Sequence, residues 1–96
     1  MAVVSKEVRH NPDRSRYELF VDDELVGIAD YLVQGDVIVL PHTEIDRDKR
    51  GQGLGAILVQ GTLDKIRSTG RTVVPQCSYV AGFIDEHPGY QALVSS

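Results

Sequence analysis

The sequence predicts an α+β fold: an antiparallel four-strand meander, then helix, strand and helix, forming a central mixed sheet with a crossover helix. Three observations carry this. Apolar residues recur at every second position through the first half of the chain. After Gly55 they recur at i, i+3, i+4, i+7, i+8 and i+11, the spacing of one helix face. That helix joins the fourth and fifth strand patterns, and a crossover of this kind makes the strands it joins parallel.

A first strand is expected near residues 3–9, closed by a turn at Asn11, Pro12 and Asp13. Tyr17, Leu19 and Val21 alternate with Glu18, Phe20 and Asp22, the period of a half-buried strand. Asp22 and Asp23 make the next turn. Residues 24–33 return as a third strand, with Leu25, Gly27, Ala29, Tyr31 and Val33 expected on one face. Gln34, Gly35 and Asp36 turn the chain again. Val37 to Leu40 is a continuous apolar run, as expected of a central strand covered on both faces. Pro41 lies inside this fourth strand, which reaches residue 45. Proline has no N–H to give to a ladder, so a bulge or broken pairing is expected beside it.

The second half changes character. Asp46 to Arg50 is a charged loop, followed by glycine at 51, 53 and 55. Gly55, Leu58, Val59, Thr62, Leu63 and Ile66 form the apolar helix face, with Gln60, Asp64, Lys65 and Arg67 on the wet side. Gly70 is a natural helix stop. Arg71 to Pro75 reads as the fifth strand, Ser78 to Asp85 as a second helix, and Pro88 opens a last helical segment ending near Val94. The whole chain, 1–96, reads as one domain.

Composition narrows the function classes. Ten Lys+Arg against fourteen Asp+Glu give a net charge of −4, unsuited to a nucleic-acid partner. Cys77 is the sole cysteine, which excludes an internal disulfide and a cysteine-rich zinc site and fits a reducing cytoplasm. The three histidines have no metal-site spacing. His10 and His87 are expected in solvent, and Phe20 and Tyr31 in the core or half-buried in the sheet. No membrane span and no signal-peptide core are expected, because no apolar run approaches the ~18 residues of a span. For a chain of 96 residues, two nucleotide-binding halves or a closed (β/α)₈ barrel are excluded.

The sharpest feature is Arg50-Gly51-Gln52-Gly53-Leu54-Gly55, between an extended strand and an amphipathic helix. Glycine lets an anion approach backbone amides without a Cβ in the way. A helix N-terminus adds unpaired N–H groups and a partial positive charge. Arg47, Lys49 and Arg50 add local cations to a chain that is negative overall. Together these describe a pyrophosphate cradle. Gly51, Gly53 and Ala56 also match the dinucleotide fingerprint formally. That fold expects an acidic residue about 20 positions on, at the end of the next strand, and residues 71–78 contain none. A phosphate-binding P-loop needs Gly-Lys-Ser or Gly-Lys-Thr, which is absent. The plain alternative is a glycine-rich turn that only joins strand to helix.

Arg50-x-x-Gly53-x-Gly55 resembles the acetyl-CoA pyrophosphate motif of the GNAT superfamily of N-acetyltransferases. The runs His42-Thr43-Glu44-Ile45, Cys77-Ser78-Tyr79-Val80 and His87-Pro88-Gly89-Tyr90-Gln91-Ala92-Leu93-Val94 are similar to minimal single-domain members of that superfamily. The likeness spans roughly residues 17–94. It implies an acetyl-CoA-binding N-acetyltransferase acting on an amine, with a peptide or protein amine among the acceptor classes. It implies cofactor contacts at Thr43, Glu44, Ile45, Arg50, Gly51, Gln52, Gly53, Leu54, Gly55, Ala56, Cys77 and Tyr79.

The catalytic candidates implied are His42, Glu44 and Cys77. His42 or Glu44 would take the proton of the attacking amine; His42 reads equally as a strand residue making one hydrogen bond, and Glu44 reads more readily as a solvated strand-end carboxylate. Cys77 reads as an acetyl acceptor, a thiol that bonds the CoA sulfur, or a small packing residue. Larger GNAT enzymes often carry Asn-x-x-Ala after the fifth strand and a tyrosine general acid about seven residues on from that Asn. Here Ser78 replaces the Asn, Ala81 is kept, and the tyrosine position falls near Asp85, leaving Tyr79 and Tyr90 as the nearby phenols. The N-terminal helices that help form the acceptor site in larger enzymes have no counterpart, so an acceptor groove that is shallow and open, or completed by a partner, is expected. The expected partners are acetyl-CoA and an unidentified amine acceptor, with no nucleic acid or membrane, and the chain acting as a monomer. The rival functions are a CoA-binding module that acts through a partner and a dinucleotide binder.

Overall fold

The computed structural model describes residues 5–95. The chain runs β1 (Lys6–Asn11), β2 (Arg16–Val21), β3 (Glu24–Gln34), β4 (Val37–Ile45), α1 (Leu54–Ser68), β5 (Thr72–Val74) and α2 (Ser78–Glu86), with 3-10 turns at Pro12–Arg14, Arg47–Lys49 and Pro88–Leu93. The first strand was expected from residue 3; its start falls partly on residues 1–4, outside the described residues. The five strands lie side by side in sequence order, the first four antiparallel and β5 parallel to β4. The meander, the crossover and the parallel last pair are as the sequence predicts.

Local chemistry explains the turns. Asn11 Oδ1 accepts a hydrogen bond from the Arg14 backbone N–H at 3.2 Å, and Pro12 starts that turn with its φ already fixed. Val21 pairs with Glu24, so Asp22 and Asp23 form a two-residue hairpin loop. Their φ values of 50° and 67° are those a tight hairpin requires, and aspartate is among the few non-glycine residues that tolerate them.

One cluster forms the core. α1 buries Leu54, Leu58, Val59, Thr62, Leu63 and Ile66 against Tyr17 and Leu19 of β2, Val26, Ala29 and Tyr31 of β3 and Ile38 and Leu40 of β4. Val80, Phe83 and Ile84 of α2 and Leu93 close it. The expected helical face is therefore the buried one, with Leu54 added at its start. Gly55 is only half-buried.

Two register shifts correct the expected faces. Leu19 pairs with Gly27 but Phe20 pairs with Leu25, so Val26 is an extra residue in β3. The bulge turns Val26 into the core and leaves Leu25, expected on one face with Gly27, Ala29 and Tyr31, 37% exposed. The Val26 carbonyl accepts from the Asp46 N–H at 2.8 Å instead of from β2. Asp30 pairs with His42 but Leu32 with Val39, so Leu40 and Pro41 together oppose Tyr31. The proline thus sits in a bulge, where its missing N–H leaves no ladder bond unmade. Val33, beyond this second shift at the hairpin end, is exposed rather than inward. Glu18, which alternates with Tyr17 and Leu19, is buried too, with Arg16 bonded to its carboxylate at 2.8 Å.

Candidate active site

The site begins where β4 leaves β5. Val37, Ile38 and Val39 pair with Thr72, Val73 and Val74, and the Cys77 N–H donates to the Leu40 carbonyl at 2.9 Å. Beyond Leu40 the pairing with β5 ends. His42 to Ile45 remain held on one edge by β3, through the pairs Asp30–His42, Ala29–Thr43, Ile28–Glu44 and Gly27–Ile45. Their other edge faces a groove of about 640 Å³. Pro41, by imposing the bulge, marks the point of divergence.

The groove is closed at one end by the glycine loop and the start of α1. Gly51 and Gly53 have φ of 83° and 74°, which few side-chain-bearing residues adopt, and a Cβ on either would meet no atom within 4 Å. The space beside both glycines is therefore open. Gly53 is the N-cap of α1 and supplies no side-chain cap, and no acidic residue lies in the first turn. The positive end of the helix is left uncompensated. Arg50 donates from Nε to the Ile45 carbonyl at 3.2 Å, tying the loop to the free end of β4.

The opposite wall comes from the start of α2. Cys77 is its N-cap residue, half-buried, with Sγ 3.4 Å from the Thr43 hydroxyl. Burial pushes the thiol pKa up. The Thr43 hydroxyl opposes it, together with the backbone N–H groups of Val80, Tyr79 and Thr43, and these win, so the net shift is downward. Tyr79 is 48% exposed and lays its ring on the glycine loop, so a Cβ at position 55 would stand 2.7 Å from its hydroxyl oxygen. Gly55 is needed for that close approach. His42 Nε2 and Glu44 Oε2 lie 3.6 Å apart on the exposed face of β4, as alternation requires.

Most of the expected site residues converge here. His42, Thr43, Glu44, Ile45, Arg50, Gly51, Gly53, Leu54, Gly55, Cys77 and Tyr79 all line the groove. Gln52 and Ala56 do not: Gln52 is exposed between the two glycines, and Ala56 packs its methyl against the core. Lys49, Leu58 and Ser78 also line it without having been singled out as contacts. Lys49 and Ser78 each adjoin a chosen residue, and that adjacency was the available signal. Tyr90 is drawn elsewhere, its hydroxyl donating to Asp64 at 2.7 Å and its ring under the Arg67 guanidinium, and Asp85 is not part of the lining either. Among the described residues no cluster suits a metal ion, and no helix is long and apolar enough to cross a membrane.

A sequence profile described as GCN5-related N-acetyltransferase matches residues 16–93. The chain belongs to this family. Solved structures agree on the fold. A GCN5-like protein from Staphylococcus aureus superposes with a TM-score of 0.69 at 17% identity, covering 94% of this chain and 88% of its own. The ribosomal-protein-S18-alanine N-acetyltransferase from Escherichia coli gives 0.60 at 23% identity over 77% of this chain and 50% of its own. An acetyltransferase of the GNAT family from Streptococcus pneumoniae gives 0.56 at 13% identity, over 77% and 52%. This chain thus spans about half the length of those two larger proteins. The dinucleotide reading of the glycine loop falls with this result, because the loop follows an antiparallel meander rather than opening a doubly wound sheet.

Proposed function

We propose that this protein binds acetyl-CoA in the groove between β4 and β5 and transfers the acetyl group to an amine, with a peptide or protein amine as the acceptor class. The observation that carries the proposal is the edge of β4 from His42 to Ile45, which no strand covers, facing the glycine loop across the groove. An extended amide-bearing chain can pair with a free strand edge, and a pyrophosphate suits a helix N-terminus that has neither acid nor side-chain cap. When bound, acetyl-CoA supplies an acetyl group activated as a thioester.

The chain's own residues have distinct tasks in this reading. The amides from Gly51 to Ala56 hold phosphate oxygens, with Arg50 and Lys49 adding positive charge. The free edge from Thr43 to Ile45 orients the ligand's amides. His42 Nε2 or a Glu44 carboxylate oxygen takes the proton from the amine, directly or through one water. The Cys77 thiol, biased toward its ionised form, sits on the wall opposite Thr43. His42 and Glu44 are both more than half exposed, so a large acceptor can reach them.

Thermal unfolding tests the reading. Acetyl-CoA at about 100 times its Kd stabilises by ~2.7 kcal/mol, a rise of about 11–22 °C in Tm for a chain of this size, while NAD gives none. Gly53→Val strains the left-handed position by about 1–3 kcal/mol and fills the cradle, so the variant stays folded and loses the rise. Gly53→Asn tolerates the backbone and loses it too. No response to acetyl-CoA, or a response to NAD alone, overturns the proposal. Acetyl transfer to a panel of amines then separates enzyme from binding module. Activity unchanged in both His42→Ala and Cys77→Ala would remove those assignments.

A further inference from the structure

The groove uses the N-terminal end of α1. Under the C-terminal turn of the same helix lies a second cavity of about 280 Å³, sharing no lining residue with the first. Its floor is aromatic and spans three strands. His10 of β1 stacks on Tyr17 of β2 with centroids 4.6 Å apart, and Tyr31 of β3 tilts against both at 5.4 Å. Its rim is cationic: Lys65 in the last turn of α1 and Arg71 just before β5, both exposed. Neither forms an ion pair among the described residues, although the protein carries a net charge of −4. Glu7, the acid that feels the Lys65 charge, is bonded to Arg9 at 2.7 Å.

The remaining polar groups are already arranged. His10 Nε2 and the Tyr31 hydroxyl are 2.7 Å apart. Partial burial, and then the Lys65 charge, hold His10 below its ordinary pKa, so at neutral pH its ring is an uncharged stacking surface. The carbonyls at the end of α1 would repel an anion. Two of them are covered: the Ser68 hydroxyl donates to the Lys65 carbonyl and the Thr69 hydroxyl to the Ile66 carbonyl, each at 2.6 Å.

We propose that this cavity binds a small carboxylic acid carrying one flat ring. The ring lies against His10, the exposed member of the cluster, which Tyr17 and Tyr31 back from the core, and offset stacking on its imidazole is available. The carboxylate lies between Lys65 and Arg71, whose guanidinium fork matches a carboxylate geometrically. At 280 Å³ the cavity falls just under the ~300–1,000 Å³ of pockets for drug-sized ligands, which limits it to a single ring. An aromatic floor alone would suit a cation; the two rim cations repel one. The assignment stands apart from acetyl transfer, since no lining residue is common to both sites.

Titration of the whole chain with benzoate, followed in proton–nitrogen correlation spectra, tests it. Benzamide and acetate serve as the uncharged and ringless comparisons. Benzoate shifts the amides of Tyr17, Tyr31, Ser68 and Thr69 saturably, and binds about tenfold more tightly than either comparison. Lys65→Gln and Arg71→Gln each weaken benzoate, and the double variant loses its preference over benzamide. Both positions are exposed, so the fold survives, and the acetyl-CoA response in Tm is unchanged. The proposal is overturned if benzoate gives no saturable shift at these amides, if benzamide binds as well, or if the double variant binds benzoate as the native chain does.

Discussion

The first four residues of β4 and its last four differ in what lies along their second edge. Val37 to Leu40 have β3 on one side, and β5 and the Cys77 N–H on the other, and Ile38, Val39 and Leu40 are buried. His42 to Ile45 have β3 alone. One strand therefore serves as core at its start and lines the groove at its end. The switch is made at Pro41, where a bulge costs no hydrogen bond because the residue has none to donate. Core packing and the proposed binding edge thus occupy adjacent stretches, and substitutions a few residues apart should separate them.

The largest expected effect lies in the closed half. Leu40 is 1% exposed in the centre of the core, so Leu40→Ala costs about 2–5 kcal/mol in urea unfolding. A loss well under that range would mean that the β4–β5 junction repacks freely, and the contrast between the halves would fail. In the open half, Thr43→Val costs about 1 kcal/mol or less in stability. Its effect is chemical. Without the Thr43 hydroxyl, the Cys77 thiol loses the largest of the contributions that lower its pKa. The rate of alkylation by iodoacetamide then falls at neutral pH, and its pH profile moves upward, because the thiolate is the reactive form. An unchanged profile would show that the amides at the start of α2 act on the thiol without Thr43.

The smallest effect is at the far side of the sheet, where His10 stacks on Tyr17. Its folded pKa is lowered by burial below the 6.5 of the unfolded chain. Between those two values the unfolded chain binds the proton more readily. The contribution of His10 to stability is therefore complete above 6.5 and is lost as the pH falls through the lowered folded value. His10→Phe keeps a ring on Tyr17 and removes this titration, so urea midpoints measured downward from that pH fall less steeply than in the native chain. An identical slope would place the acid sensitivity elsewhere.

Periodicity made the architecture legible. The meander, the crossover helix and the parallel last strand follow from spacing alone, because a helix between two strands leaves few ways to return to the sheet. The glycine loop was legible because its residues adjoin in sequence. Individual strand faces were less so. Val26 reads as an outward residue by simple alternation, and only the bulge opposite Leu19 and Phe20 turns it inward. Glu18 alternates with Tyr17 and Leu19, and its burial depends on Arg16 and Asn11 reaching it from neighbouring positions in the sheet.

The order of the elements, the buried face of α1 and the break at Pro41 can be read along the chain, because each depends on residues close together in it. That Thr43 reaches the Cys77 sulfur, 34 positions away, and that Tyr79 rather than Tyr90 stands over the glycine loop, emerges when the strands and helices pack. The same packing brings His10, Tyr17 and Tyr31 together beneath Lys65 and Arg71. Such contacts depend on strand register and on where a helix crosses the sheet. Both are set by the sum of many packing contacts, and no single stretch of sequence carries that sum.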